Sequence, residues 1–232
     1  MSRVRYGSKD LFSLGPSFTP QSTSETHAIT YAEKRNALGE ESCAQEKDNM
    51  VTAQASYTYE GSDLINELKS SLVLGGLKEE FLITAISINF SNTSTIKVSV
   101  TGHKHLTGNG HNDGSSVLSN YEVDLALAVL TVPSCMGVPI DGSFENTNPD
   151  SNVRSMTVNF TCKHNDIPSN LGVHKCGHNF DGRIAVSVNY IGVPDVVLPE
   201  GWHLTSQPFN TNNQSFEITE ISAYKSLDRI AV

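Results

Sequence analysis

Cysteine, tryptophan and charge are all scarce in this chain of 232 residues. Its four cysteines, Cys43, Cys135, Cys162 and Cys176, include no CxxC pair, so they define neither a disulfide framework nor a cysteine-based zinc site. Reduced thiols are expected, with Cys162 and Cys176, which flank one segment, as the pair that could meet. No run approaches the roughly 18 apolar residues of a membrane helix, and no apolar stretch follows the mildly basic "MSRVRYGSKD" as it would in a signal peptide. Lys and Arg number 16 against 25 Asp and Glu, a formal net charge of -9. The basic residues are scattered singly, without the dense arm that neutralises packaged RNA. These absences lead us to expect an intracellularly made, soluble protein with no membrane partner and no specific nucleic-acid binding.

Catalytic signatures are missing too. The sequence contains no GxSxG elbow, no GxxxxGKS phosphate loop and no HExxH. "GNGHND" lacks the third glycine and the helix of a dinucleotide fingerprint, and Ser42-Cys43 and Ser134-Cys135 have no activating neighbours. The expectation is a protein that is not an enzyme, with no catalytic residue and no cofactor.

What is abundant points to β-structure. Apolar residues make up 38% and charged residues 18%, so Ser, Thr, Asn and Gly must cover the surface, a balance that suits sheets better than helical bundles. Period-two alternation sets Leu82, Ile86, Ile88 and Phe90 on one face of "FLITAISINF", with Ile96, Val98 and Val100 following as the second strand of a hairpin. "RSMTVNFTC" aligns Met156, Val158 and Phe160, and "RIAVSVNYI" aligns Ile184, Val186, Val188 and Tyr190. "YEVDLALAVLTV" is apolar on both faces and reads as a strand buried on two sides. "FEITEISAY" slips phase after Ile218, the mark of a bulge. One helix is expected in "GSDLINELKSSLVLGG", with Ser62 as N-cap, Leu64, Ile65, Leu68 and Leu72 on one face, and Gly75 and Gly76 ending it. The predicted class is mainly β: an antiparallel β-sandwich or small barrel with one packed helix and an extended N-terminal arm. Residues 1–50, polar and poor in strand pattern, are read as that arm, and residues 51–232 as the β-rich body.

Histidine is the unexpected concentration. "VTGHKHLTGNGHNDG" and "FTCKHNDIPSNLGVHKCGHNFDG" share the order strand, Lys-His, polar stretch, Gly-His-Asn, Asp-Gly, as a duplicated strand-loop unit would. His103 and His105, two apart on a continuing strand, share a face and could both reach one ion. With His111, His164, His174 and His178, and with Asp113, Asp166 and Asp181 nearby, they are the candidate ligands for zinc or another divalent metal. The competing reading makes both stretches polar loops that hydrogen-bond across a subunit interface, weakening as acid charges the imidazoles.

The stretch "YAEKRNALGEESCAQEKDNMVTAQASYTYEGSDLINEL", Tyr31 to Leu68, followed by "LGGLKEEFLITAISINFSN", resembles the tail-tube-like structural proteins of bacteriophages. The resemblance covers the first half of the chain and transfers no functional residue. It implies an N-terminal arm, a compact β-sandwich or small barrel, a flanking helix and long inter-subunit hairpins. By function it implies a self-assembling virion protein, a homo-oligomer whose partners are its own copies and other virion proteins. The histidine-rich stretches lie outside that family pattern and leave room for a jelly-roll capsid or decoration protein. From another class, a β-sandwich carbohydrate- or metal-binding module would use Trp202 in "GWHL" as a sugar platform.

Overall fold

The computed structural model describes residues 10–35, 37–39, 41–91, 94–106, 145–146, 152–168, 174–191, 196–198, 200–206, 209–210 and 218–227. Its strands are β1 (Phe18–Arg35), β2 (Glu41–Tyr59), β3 (Leu77–Lys78), β4 (Phe81–Ser91), β5 (Ser94–His105), β6 (Glu145–Asn146), β7 (Asn152–Pro168), β8 (His174–Ile191), β9 (Val196–Val197), β10 (His203–Ser206), β11 (Phe209–Asn210) and β12 (Ile218–Ser226). The helix α1 (Leu64–Ser71) separates β2 from β3. Ten strands form one antiparallel sheet in the order β1-β2-β5-β4-β7-β8-β12-β10, with β3 added to β4 and β11 to β12, while β6 and β9 pair apart. The sheet is open, with β1 and β10 at its edges, so the fold is mainly β and sandwich-like rather than a closed barrel. No helix among the described residues is long and apolar enough to cross a membrane.

Alternation along the strands builds the core. Tyr57, Val98, Ile88, Val158, Val186 and Ala223 stand opposite one another across six consecutive strands. All six are buried. The neighbouring row is Ala55, Val100, Ile86, Phe160 and Ile184. Alternating with these rows, on the opposite parity, lie Ser, Thr and Asn residues that bond to one another, as in Thr157 Oγ1 to Asn89 Oδ1 at 2.8 Å and Asn189 Nδ2 to Ser155 Oγ at 3.2 Å. The scarcity of charge is thus explained: hydroxyls and amides face outward across the sheet.

The helix covers part of the apolar face with Leu64, Leu68 and Leu72, all buried. Its N-cap is Asp63, whose side chain accepts from Asn66 N, and not Ser62 as the sequence suggests. Tyr59 Oη fixes this end, accepting from Asp63 N at 2.7 Å and donating to Glu67 Oε1 at 3.1 Å. The helix stops at Leu72, whose backbone is already extended, before Gly75 and Gly76 are reached. The side chain of Ile65 lies outside the described residues.

The arm reading needs correction. Leu11, Phe12, Leu14 and Phe18 belong to the core, with Phe12 edge-on to Phe81 at 5.6 Å. Ser71 Oγ bonds Leu14 O at 2.8 Å, tying this segment to α1. From Phe18 onward the chain is β1, paired with β2 along its length, so a boundary at residue 50 cuts through β2. "YAEKRNALGEES", ambiguous in sequence, contains the ends of both strands and the turn between them. Polar composition misled because β1 lies at the sheet's edge with much of its surface in water.

Three further expectations change. A bulge between Ile83 and Ala85 reverses the parity of β4, so Ile83 joins Ile86, Ile88 and Phe90 while Leu82 stands opposite His103 on the other face. The register of β12 on β8 runs unbroken from Ile218 to Ser226, and the irregularity falls instead on the β10 side, between Leu204 and Ser206. Cys162 is free and buried. Cys176 stands opposite Ile167, five positions farther along β7, roughly 16 Å away at strand spacing, so the two cannot bond. "YEVDLALAVLTV" lies outside the described residues.

Candidate functional site

The wedge of chain between α1 and β4 creates the site. β7 pairs with β4 only from Ser155 to Thr161. Beyond that point the edge of β4 is taken by residues 75–78: Gly75 N bonds Ile83 O at 2.7 Å, Ile83 N bonds Gly76 O at 2.9 Å, and β3 follows. Past Thr161 the β7–β8 hairpin is released from the β4 ladder, so its outer part can leave the sheet plane.

A bulge in β8 provides the bend. Thr161 faces Arg183 but Lys163 faces Phe180, so β8 carries one extra residue. Asp181 there has a φ of 53°, in the left-handed region that Asp tolerates better than most side chains. Its carboxylate accepts from Lys163 Nζ at 2.6 Å and Arg183 Nε at 2.9 Å, one residue on each side of the irregularity. These bonds, with that of Lys163 first, hold the Asp181 carboxyl below the usual range. The Asp-Gly pair that reads as a turn in sequence is a bulge inside a strand.

The bent hairpin brings β7 histidine against β5 histidine. His103 and His105 fall on the polar parity of β5, with Lys97, Ser99 and Thr101, yet both are buried. The His164 ring packs on His103 at 4.9 Å between centroids, and His103 meets His105 edge-on at 5.9 Å. One carboxylate oxygen, Asp166 Oδ1, receives two imidazole nitrogens: His164 Nε2 at 2.8 Å and His105 Nε2 at 3.0 Å. Ligand atoms of His103, His164 and Asp166 all lie within 4.8 Å of one another. The His105 side chain is 0% exposed, that of His164 4% and that of Asp166 30%, so the carboxylate forms the solvent side of the cluster.

Behind His164 stands a second layer of support. Asn179 Nδ2 donates to Gly75 O at 2.8 Å, which orients the amide and leaves its Oδ1 as the acceptor. His164 Nδ1 lies 2.6 Å from that oxygen and donates to it. A ring protonated at Nδ1 alone would turn its Nε2 lone pair on the Asp166 carboxylate, whereas a ring protonated at both nitrogens donates there as well. Two lone pairs at this distance require positive charge between or beside them. Burial works against a charged Asp166, but hydrogen bonds from His105 and His164, together with their charge, outweigh it and hold the carboxyl well below the ordinary range.

The six candidate histidines therefore separate. His103, His105 and His164 come together around Asp166. His178 stacks on Phe180 with parallel rings at 6.3 Å and takes no part. His174 is a strand residue opposite Pro168, with a side chain outside the described residues, as is the whole of His111. The described part of the second histidine stretch is no loop: residues 160–168 and 174–182 lie on the two strands of a hairpin, and its His164 meets His103 and His105 of the first stretch inside the chain. Asn179 was missed by the sequence reading, and the one signal for it is its place in "GHNFDG", two residues before Asp181.

Trp202 does not form a sugar platform. It is 8% exposed and part of the core, so its ring is spent on packing. A second feature starts beside this cluster, where Met50 of β2 stands opposite His105. β5 accompanies β2 from Met50 to Tyr59, and Leu106 N bonds Asn49 O at 2.7 Å, so among the described residues the stretch 30–35 of β1 and 41–48 of β2 pair only with each other. This ribbon extends roughly 20 Å beyond the sheet at strand spacing. Ile29 at its base, and Tyr31 and Leu38 along it, have 43%, 58% and 83% of their surface exposed. No protein-family model matches this chain, and no curated protein matches it either.

Proposed function

We propose that this chain is a self-assembling structural subunit of a virion, most specifically a phage tail-tube subunit, whose partners are its own copies and neighbouring virion proteins. The β1–β2 ribbon carries this reading. A two-stranded ribbon alone is marginal in water, and this one holds Ile29, Tyr31 and Leu38 in solvent. A neighbouring copy would bury them. β1 also offers an edge of 18 residues, a template for pairing that isolated proteins commonly blunt. The flanking helix and the projecting hairpin agree with what the tail-tube resemblance implies.

The test is to shorten the ribbon by joining Ile29 to its partner Asn49 through an Asn-Gly turn. The shortened chain should keep the β-sheet circular dichroism and cooperative unfolding of the full chain but sediment as a monomer. The full chain should form rings or tubes visible by negative-stain microscopy. A full chain that stays monomeric at high concentration in every salt condition would overturn the proposal.

A further inference from the structure

We propose that His103, His164 and Asp166 form a binding site for a divalent transition-metal ion, zinc foremost, which pins the bent β7–β8 hairpin to β5. The site goes beyond the assembly reading and does not depend on it.

Three observations converge. The ligand atoms lie within 4.8 Å of one another, so a contraction of at most about 1.5 Å brings them to the roughly 3.3 Å between ligands that bonds of about 2.0 Å to tetrahedral zinc require. They come from two strands that β4 separates in the sheet order, so the ion would join parts that no backbone ladder joins. The ligand His164 is already oriented as metal-binding imidazoles are, with Nδ1 donating to a fixed acceptor, Asn179 Oδ1, and Nε2 directed at the other ligands.

A proton shared by His164 and Asp166 would account for their 2.8 Å contact. It would use only those two groups, whereas a cation uses the converging His103 as well. Two imidazoles with one carboxylate select zinc and its first-row neighbours over calcium and magnesium, which prefer oxygen. His105 Nε2, 3.0 Å from Asp166 Oδ1, braces the carboxylate from the side away from the ion, leaving the fourth position to water. Asp166, the most exposed member, provides the route for the ion.

The experiment titrates the chelator-dialysed full chain with zinc against a chromophoric competitor, and with cobalt(II) followed by visible absorption. Binding is counted per chain, whether or not the chain assembles. One equivalent is expected, with the absorption of a tetrahedral cobalt centre and a raised melting temperature. Asp166→Asn should abolish stoichiometric binding. Asn179→Ala, which frees the His164 ring without removing a ligand, should weaken it about 10- to 100-fold. His178→Ala should bind as the parent does. Circular dichroism identifies any variant that fails to fold, in which case the parent stoichiometry and the Asn179→Ala affinity decide. No stoichiometric binding by the parent, or affinity unchanged in both Asp166→Asn and Asn179→Ala, would overturn the site.

Discussion

The Tyr57 hydroxyl donates to Asp10 Oδ1 at 2.9 Å across 47 residues of chain. It also accepts from Phe12 N at 3.3 Å, so one buried phenol anchors the N-terminal segment to the C-terminal end of β2. Burial, followed by the bond to Asp10, pushes the Tyr57 pKa far above its ordinary value. Tyr57→Phe would leave the Phe12 N–H unmet in the core and should lower stability by about 1–3 kcal/mol, read from the urea midpoint. Deleting residues 1–17 should abolish cooperative unfolding, because Leu11, Phe12 and Leu14 leave with it. A truncated chain with the parent midpoint would mean that this segment is ornamental.

Gly102 is where the sheet admits no side chain. A Cβ there would lie 2.9 Å from Leu82 O and 3.1 Å from Phe81 Cβ. The first neighbour is backbone and cannot rotate away. Gly102→Ala should cost about 1–3 kcal/mol by overpacking, against a gain of under 1 kcal/mol from stiffening the unfolded chain. Denaturant titration measures the difference, and a stabilised variant would contradict the close approach of β4 to β5.

Cys162 is a buried thiol pushed up to about 12 by desolvation. Its peptide should escape alkylation at pH 8 in the native chain and react once denaturant is added, as mass spectrometry of digests can show. The folded state keeps this proton where the unfolded chain has lost it, so the unfolded state binds fewer protons at alkaline pH. The contribution is therefore complete below about pH 9 and declines as pH rises toward 12. Cys162→Ala should flatten that decline; an identical alkaline slope in the variant would remove Cys162 from the account.

Assembly should respond to charge on the ribbon. Ile29→Lys with Tyr31→Lys alters two exposed side chains and should leave the melting temperature within about 2 °C of the parent, as surface changes usually do. If a neighbouring copy buries both residues, the concentration for half assembly should rise at least about tenfold, given about 1.5–3 kcal/mol for each buried large apolar side chain. Sedimentation across a dilution series reads this directly, and an unchanged concentration would exclude the ribbon from the contact.

Much of the sheet was legible because its alternation is strict. Met156, Val158 and Phe160, and Ile184, Val186, Val188 and Tyr190, were assigned to one face by period alone, and all are buried. Where a bulge intervenes the period fails, and Leu82 was accordingly placed on the wrong face of β4. The first 50 residues were misjudged for a different reason. Leu11, Phe12 and Leu14 are too few and too closely spaced to show a period, so only the three-dimensional contact with Tyr57 and α1 reveals their burial. His103 and His105 were correctly placed on one side of a strand, but nothing local tells that His164, about sixty residues later, packs on them. That meeting depends on β3 taking the edge of β4, a nonlocal event that no window along the chain contains.

The extra residue in β8 has a genetic corollary. Loss of the single codon for Asp181, in frame, would give the two strands equal counts between Thr161 and Lys163. The ladder would then continue straight, and the hairpin would swing back toward the plane of its neighbours. His164 and Asp166 would be carried away from β5 without either being altered. A comparison of natural variants by substitution alone would overlook this, since the trait resides in how many residues there are and not in which.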